Sequence, residues 1–112
     1  MKIKDSIVII EDNLLGRKQS FVAQMHENNV FDVNALEELK IAINLIINEV
    51  VDSFLFAEIA TKLFKIYAFI LECIVYHFDP NDLFYIKNLP QNYSERLLGL
   101  KEVINDYFRR NV

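Results

Sequence analysis

Residues 58–82 read EIATKLFKIYAFILECIVYHFDPND, and this stretch decides the fold class of the chain. Apolar side chains recur every three or four residues from Ile59 to Ile74, which is the period of an α-helix with a buried face. The second half of the stretch is apolar on almost every side, as in a helix that lies centrally in a bundle or carries an interface. Asp79 precedes a proline and is therefore biased away from helical geometry. We expect a helix over residues 56–78.

The same three-to-four-residue period predicts three further helices around this one. Gly16 falls inside the first of them and weakens it. Asn34 and Glu37 have the spacing of a capping box, which marks the start of the second helix. Val50 and Val51 extend the inner face of that helix towards its end. The four predicted helices are residues 6–28, 34–53, 56–78 and 92–110.

The whole chain of 112 residues is expected to be one all-α domain, residues 1–112. Two glycines and two prolines are too few for the many reversals of a β fold. Long helices joined by short loops fit an antiparallel, up-down four-helix bundle. The connection before the last helix is expected to contain a short extra helical turn at residues 82–88.

Charge and hydropathy exclude several classes of partner. The net charge of −4 and the scattered basic residues predict no nucleic-acid partner. The longest uncharged apolar run, Ile66 to Leu71, is far too short to cross a membrane. Cys73 is alone, so the chain forms no internal disulfide and needs no oxidising compartment. We expect a cytoplasmic protein with no membrane partner.

Motifs that carry chemistry are missing from the sequence. The glycines are far apart, so there is no phosphate-binding loop, and one cysteine with two histidines matches no zinc pattern. Cys73 and His77 lie four residues apart and could form an activated thiolate, but no third group is evident. We interpret them as a buried thiol beside a histidine that caps the helix end. The sequence therefore predicts no enzymatic activity, no cofactor and no metal site.

Aromatic residues are concentrated at the end of the third predicted helix and in the connection after it. Two interpretations stay open at this point. The aromatic side chains form an exposed protein-binding face, or the connection folds back and covers the end of the core. The residues concerned are Tyr76, Phe78, Phe84, Tyr85 and Tyr93.

The segment that starts at Glu58 resembles the third-helix region of a bacterial family, the flagellin-specific export chaperones (the FliS family). Residues 42–51 and 97–108 are similar to the preceding and last helices of that family. Three features differ: the run Ile7 to Ile10 replaces the usual opening, Lys62 replaces a usual Asn, and the connection up to Tyr93 looks like an insertion. The matching residues are Glu58, Ile59, Ala60, Leu63, Ile66, Tyr67, Phe69, Ile70, Ile74, Asn81 and Asp82.

The resemblance implies a cytoplasmic chaperone or adaptor that binds the apolar, helical C-terminal segment of flagellin or a related client and prevents premature assembly. It implies that the client contacts one face of the bundle, with Leu63, Tyr67, Ile70 and Ile74 as the binding residues. Two alternatives remain. One is a self-associating helical module that forms a homodimer through its aromatic residues. The other is a small acidic inhibitor of the immunity or antitoxin type, which would bind a basic partner through the acidic middle of the chain.

Overall fold

The computed structural model describes residues 1–49 and 52–110, and all regular secondary structure within these ranges is helical. The prediction of an all-α protein is therefore confirmed. Val50 and Val51, which were expected to extend the second helix, lie outside the described residues. The five helices are α1 (Ile3–Leu15), α2 (Phe21–Asn28), α3 (Val33–Ile47), α4 (Ser53–Phe78) and α5 (Tyr93–Arg109).

The single helix predicted over residues 6–28 is wrong, because the chain breaks there into α1 and α2. Gly16 caps α1 in the left-handed region, at φ 60°, a conformation that glycine adopts without strain. Ser20 then caps the start of α2 with its side-chain hydroxyl. The buried amide oxygen of Asn13 accepts a hydrogen bond from the Val22 N–H at 3.1 Å and fixes the angle between the two helices.

The bounds of α3 also differ from the prediction. The expected capping box at Asn34 is wrong, since Asp32 is the N-cap and accepts from the Ala35 N–H at 3.0 Å. The helix ends at Ile47, before the predicted end near residue 53. A new cap, Asp52, starts the next helix instead, because its carboxylate accepts from a free N–H of the first turn of α4.

α4 ends at Phe78, as we predicted because the next residue, Asp79, precedes a proline. The connection from Asp79 to Asn92 contains turns but no helix, so the extra helical turn predicted at residues 82–88 is wrong. Carboxylates form the local structure there: Asp79 accepts from the Asn81 N–H and Asp82 accepts from the Phe84 N–H. These short turns give backbone N–H groups a hydrogen-bond partner without forming a helix.

The buried apolar side chains form one connected core to which all five helices contribute. α1 packs against α3 and α4, α5 packs against the same two helices, and α2 contacts α1, α3 and α4. None of the helices in residues 1–49 and 52–110 is both long and apolar enough to span a bilayer. The largest fully buried side chains include Phe21, Phe31, Leu36, Leu39, Leu63, Ile70 and Tyr107.

Candidate protein-binding site on α4

The four predicted binding residues lie at two different depths. Leu63 and Ile70 are completely buried in the core and contact the other helices of the same chain. Tyr67 and Ile74 are only partly buried and lie at the edge of the core. A partner can therefore reach Tyr67 and Ile74 without any opening of the fold, whereas the other two side chains hold the helices together.

Tyr67 and Ile74 line a groove between α4 and α5. The two helices run antiparallel and are joined at both ends of α4. The Tyr107 hydroxyl donates to the Phe56 carbonyl at 2.9 Å and the two rings stack at 4.7 Å, while at the other end Phe78 and Tyr93 lie 5.7 Å apart. The α4–α5 groove between these ends has a volume of about 290 Å³ and is lined by Tyr67, Leu71, Ile74, Tyr93, Ser94, Leu97, Leu98 and Lys101.

The side of α4 that faces away from the core is also apolar. Phe64 is 65% exposed, Val75 63% and Phe78 57%, which is unusual for side chains of this size. These residues follow steps of three and four along the whole helix, so they share one face. We call this face the α4 outer face; it comprises Phe54, Ala57, Thr61, Phe64, Ala68, Leu71, Val75 and Phe78.

The apolar character of α4 on almost every side was visible in the sequence, but the outer face could not be separated from the buried stripe, because both have the same spacing. Ile59, Leu63 and Ile70 belong to the buried, inner face of α4. Leu71 and Val75 lie on a different face of the same helix. A signal was present: the three-to-four-residue step from Phe54 to Phe78 is as regular as the inner stripe. A helix with two apolar faces buries one in its own core and leaves the other for a partner.

The connection after α4 folds back on the core. Of the two interpretations of its aromatic residues, a cover for the end of the core applies to one part of the connection, and an exposed face applies to another part. Ile86 is buried, and its N–H donates to Nδ1 of His77 at 2.8 Å. The Asn88 side chain forms two hydrogen bonds with the backbone of Phe31, at 2.7 and 3.2 Å. Leu83, in contrast, is 98% exposed. The connection covers the core in its middle and is exposed at its beginning.

The Cys73 thiol is buried, and burial raises its pKa from 9.0 to about 11, with a smaller contribution from the neighbouring Glu72. At neutral pH it is therefore a protonated thiol, unlike an activated nucleophile. His77 uses its ring nitrogen to hold the connection rather than to serve the thiol. Among residues 1–49 and 52–110, no group of His, Cys, Asp or Glu side chains is placed to hold a metal ion.

The acidic residues in the middle of the chain largely serve the local fold. Asp32 and Asp52 cap helices, where their carboxylates accept from backbone N–H groups. Glu37 pairs with Lys40 at 3.4 Å, and Glu58 pairs with Lys62 at 3.6 Å. Lys62 also donates to Glu11 of α1 at 2.6 Å, and this bond raises the pKa of the lysine. These carboxylates are dispersed among intrachain partners rather than gathered into one acidic surface.

No protein-family model, no curated protein and no solved structure matches this chain. The resemblance to the flagellin-specific export chaperones therefore stays a prediction from the residues around α4.

Proposed function

We propose that this chain is a non-catalytic chaperone or adaptor that holds an apolar helical segment of a client protein in the α4–α5 groove. One observation carries the proposal: the two helices are joined at both ends and leave an open apolar groove between them. Leu71 on one wall and Leu98 on the other are 41% and 50% exposed. Such a groove suits the apolar face of an amphipathic helix, which presents anchors three, four and seven residues apart.

The proposal includes a four-helix bundle made of α1, α3, α4 and α5. The contacts support a closed ring of four neighbours, because α1 and α5 each pack against both α3 and α4. α5 runs antiparallel to α4 but parallel to α3, since Gly99 lies beside Lys40 and Arg110 donates to the Glu49 carbonyl, so the prediction of an up-down bundle with antiparallel neighbours is wrong for α3 and α5. The short α2 packs on three of these helices. In a bundle of this kind, a groove between two neighbouring helices is a common place for a ligand.

The client that the resemblance implies is the C-terminal segment of flagellin in a bacterial cytoplasm. Such a segment is apolar on one side and disordered when it is alone, so it gains order only when it binds. Burying its apolar side in the α4–α5 groove would keep it from assembling with other copies before export. Lys101 at the edge of the groove can pair with a carboxylate on the polar side of the client helix.

A peptide-binding experiment tests this function. A fluorescein-labelled peptide with the sequence of the apolar C-terminal helix of the host flagellin is titrated with the protein, and fluorescence anisotropy is followed. We expect micromolar binding that changes less than about threefold between low and high salt, because apolar burial is not screened by ions. Leu98→Ser is expected to weaken binding about tenfold, since a half-exposed leucine loses its apolar contact.

Ile41→Ser is the matched control, because Ile41 on α3 is 54% exposed and lies outside the groove. This variant should bind the peptide like the unmodified protein. Absence of binding would contradict the proposal, and so would an equal loss in both variants. A partner retained only at low salt would instead favour the acidic inhibitor. Ile70→Ala is not informative here, because Ile70 lies in the core.

A further inference from the structure

The α4 outer face has the pattern of a coiled-coil seam. From Thr61 onwards, its residues follow the alternating three- and four-residue steps of a heptad repeat. Smaller and larger side chains alternate along it. The smaller ones are Thr61, Ala68 and Val75, and the larger ones are Phe64, Leu71 and Phe78. The seam extends for about 26 Å at 1.5 Å per residue.

We propose that this face pairs with α4 of a second copy of the chain in an antiparallel homodimer. When one helix is reversed, each larger side chain falls opposite a smaller one: Phe64 faces the partner's Val75, Leu71 faces the partner's Ala68, and Phe78 faces the partner's Thr61. Filling small positions with large side chains gives close packing without voids. A parallel pair would instead place like opposite like, with crowded Phe64 layers and a void at Ala68.

Two charged residues at the edge of the seam fix the register. In the antiparallel pairing, Lys65 lies opposite the partner's Glu72, and two-fold symmetry creates the same pair twice. Neither Lys65 nor Glu72 forms an ion pair with another residue of the described parts of the chain, whereas Glu58 already pairs with Lys62. A register shifted by one heptad would place Lys65 opposite the partner's Lys65. Repulsion between these like charges disfavours that register.

The exposed area is large enough for a stable dimer. A phenylalanine side chain carries roughly 200 Å², so Phe64 and Phe78, at 65% and 57% exposure, leave about 250 Å² of apolar surface uncovered. Leu71 and Val75 raise this to roughly 400 Å², as large as the largest apolar patch on an ordinary monomer. At the apolar share of about 65% that homodimer interfaces have, this corresponds to about 600 Å² per chain, or roughly 1,200 Å² in total, the lower end of the range for specific interfaces.

This dimer does not depend on the proposed chaperone function. Leu71 belongs both to the outer face and to the α4–α5 groove, so a second copy and a client helix compete for this side of α4. The two claims can fail separately. Self-association is measured on the purified protein alone and is tested on α4, whereas client binding needs the peptide and is tested by Leu98→Ser on α5.

Sedimentation equilibrium of the purified full chain tests the dimer, with loading concentrations from about 1 µM to about 500 µM. We expect a monomer–dimer equilibrium in the micromolar range. Lys65→Glu and Glu72→Lys should each weaken it at least about tenfold, because each change brings like charges together in both symmetric pairs. An equimolar mixture of these two variants should dimerise about as well as the unmodified protein. The double variant K65E/E72K should also do so, within about threefold.

Phe64→Ser should dissociate the dimer without unfolding the chain, because Phe64 is largely exposed. Ile41→Ser, which removes an equally apolar exposed residue from α3, should leave the dimer intact. Circular dichroism confirms that each variant is folded. A monomer at all concentrations would overturn the proposal, as would a dimer that tolerates Phe64→Ser. A mixture of the two charge variants that stays monomeric would overturn the register.

Discussion

At the scale of single residues, the two glycines have opposite roles. Gly16 adopts φ 60°, a conformation that strains any residue with a Cβ. Gly99 lies inside α5, where a Cβ would meet only the Lys40 side chain, at 3.1 Å from its Nζ. The end of a lysine side chain can move aside, so Gly99 is not required for close packing of the backbones.

Alanine at the two positions should therefore change stability in opposite directions. Gly16→Ala should lower the free energy of unfolding by about 1 kcal/mol, because the left-handed conformation is costly for alanine. Gly99→Ala should raise it by about 0.5 to 1 kcal/mol, since alanine favours the helix interior. Urea denaturation followed by circular dichroism measures both. A gain in stability at Gly16, or a loss of more than about 1 kcal/mol at Gly99, would contradict this assignment.

The buried Cys73 thiol makes stability depend on alkaline pH. Its pKa is raised from 9.0 to about 11 in the folded chain, so the unfolded chain loses this proton first as the pH rises. The stability that this group contributes is complete below about pH 9 and is lost as the pH approaches about 11. Burial also raises the pKa of Tyr107, to about 12, so that residue has the same effect at higher pH.

We expect the urea midpoint of the unmodified protein to decrease between pH 8.5 and 10.5, about the window in which the unfolded thiol ionises. Cys73→Ala should show a smaller decrease over the same range, whatever its stability at neutral pH. Parallel curves for the two proteins would show that the thiol is not buried as described. Slow alkylation of native Cys73 by iodoacetamide, and fast alkylation in urea, provides an independent check.

At the scale of helices and loops, the sequence predicted the features that depend on residues close together along the chain. The end of α4 at Phe78 followed from the proline two positions later. The break between α1 and α2 also had a local signal, because Gly16 is a typical helix stop and Ser20 a typical start. The continuing apolar stripe concealed that signal. The contacts of Asn88 with Phe31 could not be predicted, since they join residues that are distant in sequence.

The connection after α4 depends on this asparagine. Asn88→Ala should lower the free energy of unfolding by about 1 to 2 kcal/mol, because the partly buried backbone groups of Phe31 lose their partner. Asn81→Ala is the control, since Asn81 lies in an exposed turn where only its backbone N–H is bonded. Thermal unfolding compares the two variants. Similar melting temperatures for both would show that the connection is not held through Asn88.

At the scale of the whole molecule, the sequence could not show which face of α4 points inward. Both faces are apolar and both follow steps of three and four, so periodicity alone does not distinguish them. Packing decides the question, because α1, α2 and α5 contact α4 and the buried side chains of α4 are Ile59, Leu63, Ile66, Ile70 and Cys73. This places Leu63 and Ile70 in the core and leaves Tyr67 and Ile74 at the groove.

The proposed function requires the α4–α5 groove to hold an apolar helix of a client. The most direct measurement is a methyl ¹H–¹³C NMR titration of the Ile- and Leu-labelled protein with the flagellin C-terminal peptide. We expect the resonances of Leu71, Ile74 and Leu98 to shift, while those of Ile41 and Leu15, which are exposed elsewhere, stay in place. No shift at saturating peptide, or shifts centred on Ile41 and Leu15, would contradict it.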